Sequence, residues 1–317
     1  MAFNLTAPIA PGEGYESVKG RLVQAVEALR GAGSASGANA PVTWGDFRTG
    51  HANPILAAWG KPTIGANDRG VVVRGRLNTI INLEALFAST VIAWWNADRA
   101  DLITQSGGIV SAWADSMSGL VISQNSIGAR PAYLPMGFGN APCVSFDGVD
   151  DALEGSAATF PSGSIPGEVW GVLAQDALAS ESGSTARGAI NYGGQSATTA
   201  RGLRRLVTGG VNRLLAVGGD GAATSLATLN TVDFSGRHVA RSTHGPGGTT
   251  VRADGSAPAS NPAVPATATD RIRLGALSGA GTTNPWLGRI RDALVTRELT
   301  PDQATHLQNF LMPRRAL

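Results

Sequence analysis

The sequence predicts a mainly β protein, an antiparallel two-sheet sandwich closed by a C-terminal helix and preceded by a smaller mixed α/β region. Three observations predict it. The 317 residues include 42 glycines and 17 prolines, with only 15% charged and 6% aromatic. Turns consume glycine, whereas helices tolerate it poorly. From Thr90 onward, short apolar runs alternate with turn residues, the pattern of stacked antiparallel strands. Within that stretch, Pro142–Phe146 runs into Asp147-Gly148 and re-emerges through Asp150-Asp151 into a second short strand. Asp-Gly between apolar runs is a hairpin signal, because glycine takes positive φ without a Cβ clash.

The N-terminal 90 residues read differently. Tyr15 to Arg30 has Val18, Leu22, Val26 and Leu29 at helical spacing, and the helix stops at Gly31 before a Gly/Ser/Ala link. Asn53 to Trp59 predicts a short helix, Val71-Val72-Val73 a strand, and Arg76 to Phe87 another helix. The apolar content is too small for a large core, so residues 1–90 are expected to dock on other proteins or on copies of the same chain. Residues 91–317 are expected to form a domain of their own.

Strands are predicted at Val91–Trp95, Ile109–Ala114, Leu120–Ser123, Pro142–Phe146, Glu168–Gln175, Arg187–Tyr192 and Gly202–Thr208. Further strands are predicted at Leu214–Val217, His238–Thr243, Thr249–Ala253, Arg271–Ala276 and Leu287–Thr296. Residues 180–184 and 257–269 read as loops. The chain closes on a helix. Thr300 is a suitable N-cap, Pro301 suits the first helical position, and Gln303 completes a capping box. Ala304, Leu307, Phe310 and Leu311 form its apolar face, and Pro313 is expected to end it.

Composition excludes several classes. Formal charge is +2, and Lys19 and Lys61 are the only lysines. No basic run interleaves with aromatics, so nucleic acid is not an expected partner. Cys143 is the only cysteine, which rules out an intrachain disulfide. It sits in an apolar run and reads as a small core residue. His51, His238, His244 and His306 show no metal-ligand spacing. The N-terminus lacks the pattern of a secretory signal, and no run approaches a membrane span, so synthesis in a cytoplasm without membrane insertion is expected. No Gly-x-Ser-x-Gly elbow occurs. No strand carries the alternating acids that place a glycanase's two carboxylates on one face, so a non-enzymatic role is expected.

Trp94-Trp95-Asn96-Ala97-Asp98-Arg99-Ala100-Asp101-Leu102, then Val110–Asp115, Arg130-Pro131-Ala132-Tyr133 and Val144–Asp151, follow one another in an order that resembles a known family. The order continues through His238–Arg241, Thr250–Gly255, Ile272–Gly275 and Trp286–Val295 to the Thr300 helix. It is similar to the laminin-G-like, concanavalin A-like jelly rolls of phage and bacterial surface proteins, over about residues 91–315. The resemblance implies a two-sheet jelly roll that often binds glycans, sometimes with calcium. It says nothing about residues 1–90.

Candidate sites follow. Tyr192 and Trp286 fall at strand ends beside Gly, Asn or Pro, where a ring either stacks on a sugar or packs internally. Asn191 and Gln195 flank Gly193-Gly194 and are either hydrogen-bonding groups for hydroxyls or ordinary turn residues. Arg204, with Arg201 and Arg205, either meets an acidic polysaccharide or lies on a solvated strand face. Asp147, Asp150 and Asp151 either seat a hard cation such as calcium or simply cap a turn. Trp94, Trp95, Trp113 and Trp170 read as core.

Together these features predict a virion-associated adhesion protein, a head spike or tail fibre of a phage-like or gene-transfer particle. Its jelly roll would bind bacterial surface polysaccharide, and residues 1–90 would hold it to other virion proteins. Homo-oligomeric presentation is expected, because many copies make weak single sites sufficient. The alternatives are a structural decoration protein without glycan affinity and a glycan-degrading enzyme.

Overall fold

A computed structural model describes residues 90–176, 185–193, 200–208, 211–219, 224–230, 236–265, 271–277 and 285–316. The helices and strand expected within residues 1–90 lie outside these, as does Gln195. Thr90–Leu317 form one unit.

Its strands are β1 (Val91–Asn96), β2 (Ile103–Ser106), β3 (Ile109–Ala114), β4 (Val121–Ser123), β5 (Ala132–Phe138), β6 (Ala141–Asp147), β7 (Leu153–Ser156), β8 (Gly167–Gln175) and β9 (Thr185–Gly193). They continue with β10 (Ala200–Thr208), β11 (Val211–Gly219), β12 (Thr224–Leu229), β13 (Gly236–Gly245), β14 (Gly248–Ala253), β15 (Ala259–Asn261), β16 (Arg271–Leu274) and β17 (Leu287–Arg297). Helix α1 (Pro301–Ala316) follows. Every ladder between these strands is antiparallel. One series runs β2-β3-β4-β7-β16-β9-β10-β11-β12. The other runs β17-β8-β13-β14-β15, with β1 and β6 sharing the free edge of β17. Strand β5 pairs with β6 and touches β3 at Ile109 and Ala132, which links the two series.

The core lies between them. Val169 and Leu173 of β8, Ala240 of β13 and Val251 of β14 belong to one cluster with Ile190, Tyr192, Leu203 and Leu214 of the other series. All nine residues of β8 are buried, and alternation then requires cover on both of its faces. The second cover is α1, which packs on β8 and β13. It also explains the adjacent Trp94 and Trp95. They point to opposite faces, yet both are buried, Trp95 in the core and Trp94 edge-on to Phe310 of α1 at 5.8 Å.

The helix forms as its sequence predicts at the start. Thr300 N–H donates to Gln303 Oε1 at 2.9 Å, and Gln303 N–H donates to Thr300 Oγ1 at 3.3 Å, a reciprocal capping box. Ala304, Leu307, Phe310 and Leu311 are buried. Pro313 does not end it; the helix runs on to Ala316. The last turn is held from the sheet, where Arg314 donates to both oxygens of Asp292 (2.7 and 2.8 Å) and to Asn96 Oδ1 (2.8 Å).

Other expectations need correction. Strands β6 and β7 are not a hairpin. β6 pairs with β5 and β17, whereas β7 pairs with β4 and β16. The Asp147-Gly148 turn therefore carries the chain from one series to the other. Gly148 has φ 77°, and a Cβ there would lie 2.7 Å from Leu287 Cβ, so close approach as well as conformation requires glycine. Strands β2, β5, β12 and β15 were not expected. They are short or half-exposed and carry little apolar alternation. β15 lies inside the stretch read as loop.

Candidate functional site

Strands β8, β13 and β17 bring their ends together at one edge of the unit. Gly167 pairs with His244 on one side and with Arg297 on the other. Two adjoining recesses open there and share Pro166 and Glu298 in their walls. One, of about 310 Å³, is bounded by Phe160, Pro161, Ile165 and Arg297. The other, of about 230 Å³, is bounded by Glu168, Arg241, Thr243, Thr250 and the Gly245-Pro246-Gly247-Gly248 turn. The larger falls at the lower end of the range for small-molecule sites, about 300–1,000 Å³.

Each wall has a local origin. Glu168, Arg241, Thr243 and Thr250 point the same way because they are cross-strand partners or alternate residues on β8, β13 and β14. Arg241 donates to both Glu168 oxygens, at 2.9 and 2.6 Å, a bidentate pair. Glu168 also accepts from Trp170 Nε1 at 2.8 Å and from the Leu299 N–H at 3.3 Å. The Arg241 guanidinium carbon lies 4.8 Å over the Trp170 ring. Thr243 and Thr250 pair through their hydroxyls at 2.7 Å. His244 is held neutral, its pKa well below the usual value through burial and then the nearby Arg201 charge.

The apolar wall is supported from behind. Buried Arg201 donates to the Ile165 carbonyl at 2.8 Å and to the Gly163 carbonyl, and it reaches the Tyr192 hydroxyl at 3.4 Å. Tyr192 meets Phe160 edge-on at 5.4 Å. The loop bearing Pro161, Ile165 and Pro166 is thus fastened to β9 and β10.

At the other end of β8, about 26 Å away along nine extended residues, lies the acidic turn. Side-chain oxygens of Asp147, Asp150 and Asp151 lie within 4.8 Å of one another. Asp147 Oδ1 accepts from the Val149 N–H at 2.8 Å, and Asp151 Oδ2 accepts from the Asp147 N–H at 2.9 Å. Burial raises the Asp151 carboxyl to about 6, with the Asp147 N–H pulling it down and the neighbouring carboxylates pushing it up. The donor type suits a hard cation, and water or backbone carbonyls would complete the six to eight oxygens calcium takes.

The residues expected to meet sugar lie elsewhere. Tyr192 and Trp286 are buried in the core, and a ring with no accessible face is no platform for a ligand. Asn191 is buried, donating to the Ala276 carbonyl at 3.0 Å and accepting from Arg204 Nε at 2.9 Å. Arg204 is buried as well, and that burial lowers its pKa to about 9. Their burial has a physical cause. Asn191, Tyr192 and Arg204 lie on the long strands β9 and β10 and Trp286 just before β17; all four are buried, and burial is set by tertiary structure. The recess itself was missed because its pieces are far apart in the chain. Nothing in the sequence joins the Gly245–Gly248 turn or the prolines at 161 and 166 to Glu168 or Glu298.

No family model matches this chain, and no curated protein matches it. Among solved structures, it is similar to Trypanosoma rangeli sialidase in complex with sialic acid, at 11% identity and TM-score 0.48 over 74% of this chain and 38% of that one. It is also similar to domain 4 of an extracellular arabinanase from Geobacillus stearothermophilus, bound to arabinotriose, at 17% identity and TM-score 0.45 over 69% of this chain and 99% of that one. A third is an arabinofuranosidase complexed with arabinofuranosyl-alpha-1,2-xylobiose, at 12% identity and TM-score 0.43, covering 72% and 60%. The chain spans about two fifths of the length of the sialidase it matches. These findings correct the expectation of a non-enzymatic protein. The similar structures belong to glycosidases, and the exclusion of enzymatic activity is withdrawn. That exclusion required paired acids along one strand, whereas here Glu168 lies near the start of β8, Glu298 follows β17, and both line one recess.

Proposed function

We propose that the Thr90–Leu317 unit is a jelly-roll domain that recognises a glycan, with bacterial surface polysaccharide as its target and the paired recess as its site. One observation carries the reading. Two adjoining recesses combine an apolar wall of Phe160, Pro161, Ile165 and Pro166 with the Thr243 and Thr250 hydroxyls and a locked Arg241–Glu168 pair. A sugar ring presents both an apolar C–H face and hydroxyls that donate and accept, and this wall offers a partner for each. In this proposal the chain is an attachment protein of a phage-like particle. Residues 1–90 fix it to other particle proteins, and several copies act together. The motif order from Trp94 to Val295 supports that setting. A calcium ion at Asp147, Asp150 and Asp151 belongs to the same proposal, steadying the turn between the two strand series.

The test is binding of multivalent full-length chain to host cells with and without their surface polysaccharide. Binding that survives removal of the polysaccharide refutes the reading. A second reading, degradation of the bound glycan, is favoured by the two carboxylates Glu168 and Glu298 in one recess wall. It predicts shortened products by mass spectrometry, lost in Glu298→Gln. Unchanged polysaccharide after prolonged incubation counts against it.

A further inference from the structure

We infer that the recess takes an uncharged sugar rather than a uronate or a sialate, an inference that rests on the glycan-recognition reading above. Four ionised side chains line the paired recess, and their charges cancel: Arg241 and Arg297 against Glu168 and Glu298. The cation deepest in the wall is already matched. Arg241 uses Nε and Nη2 on Glu168, and its face lies over Trp170. An anionic sugar seated against Arg241 would lose its hydration without gaining a new counter-ion there, because that fork is taken, and it would meet the carboxylates of Glu168 and Glu298; the exposed Arg297 of the outer recess is offset by the adjoining Glu298. His244, buried and neutral, supplies no positive charge.

The rest of the wall suits a neutral ring. Thr243 and Thr250 share one hydrogen between their hydroxyls, which leaves one O–H and several lone pairs for sugar hydroxyls. Ile165 and Pro166 offer carbon surface to the ring's C–H face, with the buried Phe160 and Pro161 backing them. The arginines that would have suited an acidic polysaccharide are engaged inside the protein. Arg201 binds loop carbonyls, Arg204 binds Asn191, and Arg205 donates to Asn212 Oδ1 at 2.8 and 2.6 Å.

The test uses the full chain and a panel of matched oligosaccharides: neutral gluco-, galacto- and manno-oligosaccharides beside uronate-containing and sialylated ones. Binding is read by calorimetry at low and high salt. The expected result is binding of a neutral member with affinity indifferent to salt. Ile165 is 57% exposed, so Ile165→Arg leaves the fold intact. It is expected to weaken that binding at least about tenfold. Preference for an acidic member, weakening with salt and strengthened by Ile165→Arg, overturns the inference and leaves glycan recognition standing. Neutral binding untouched by Ile165→Arg also overturns it, because the sugar then sits elsewhere. If no member binds, and host-cell polysaccharide does not bind either, the glycan-recognition reading itself falls.

Discussion

Asp151 offers the sharpest perturbation, because one substitution separates its charge from its hydrogen bond. The carboxyl is nearly buried, and its pKa rises from an ordinary 3.8 to about 6. A raised carboxyl pKa means that the folded protein holds the proton more tightly than the unfolded chain does. Stability is therefore greatest below about pH 4 and falls as pH rises through about 6. Each pKa unit corresponds to about 1.4 kcal/mol, so the full effect is about 3 kcal/mol at neutral pH. Asp151→Asn keeps an oxygen to accept the Asp147 N–H and loses the charge. Urea unfolding of both proteins across this pH range, in the presence of EDTA, isolates the residue. The variant is expected to match wild type near pH 4 and to exceed it by up to about 3 kcal/mol at pH 7. A difference that stays flat, or one that favours the wild type as pH rises, refutes the assignment of the shift to burial. Calcium adds a second readout. If the turn holds the ion, added calcium stabilises wild type at neutral pH and narrows the difference. An unchanged difference removes the metal proposal.

Three further outcomes are expected. Arg201→Met strands the Gly163 and Ile165 carbonyls and should cost about 2–5 kcal/mol. Limited proteolysis should then cut the 158–166 loop, and resistance equal to wild type would show that the loop needs no such anchor. Thr300→Ala removes one half of the α1 capping box and should lower stability by about 1 kcal/mol, a fall in Tm of about 2–4 °C in a scan; an unchanged Tm would mean the cap contributes nothing. Burial pushes the Cys143 thiol up to about 12, so a thiol-specific disulfide reagent should react with it only after unfolding, and prompt reaction of the folded protein would contradict the placement.

Much of the fold was legible because local chemistry and tertiary structure agree. The alternating runs at Ile109–Ala114 and Leu287–Thr296 become β3 and β17, and Thr300-Pro301-Gln303 starts a helix where its capping chemistry says it should. Short edge strands such as β2 and β15 carry no such pattern, since their side chains stay half in water and their pairing comes from neighbours. The partner of a strand was the least legible property. Asp147-Gly148 makes its turn as expected, but the next strand pairs with β16, more than a hundred residues along. The acidic turn was legible as a cluster because its members are sequence neighbours, whereas the recess joins residues from 159 to 299 that only the ladders align.

The arginines show why the charge of this chain misleads about its ligand. A sequence pI of about 9 suggests a basic surface. Yet Arg201, Arg204, Arg205, Arg241, Arg273, Arg291 and Arg314 are all buried. Their planar forks bind carbonyls, amides and carboxylates, a geometry that lysine's single ammonium does not reproduce. Several tie segments distant in sequence: Arg314 fastens the end of α1 to Asp292, and Arg201 fastens the recess loop to β10. Helix and loop each supply recess wall near one end, Glu298 and Leu299 just before α1 and Ile165 beside the Arg201 anchor. Most of this positive charge is thus engaged in holding the fold, and in the recess Arg241 and Arg297 are offset by Glu168 and Glu298. A ligand selected there is selected by shape, apolar contact and hydroxyl pairing, and its affinity should follow those terms far more than salt.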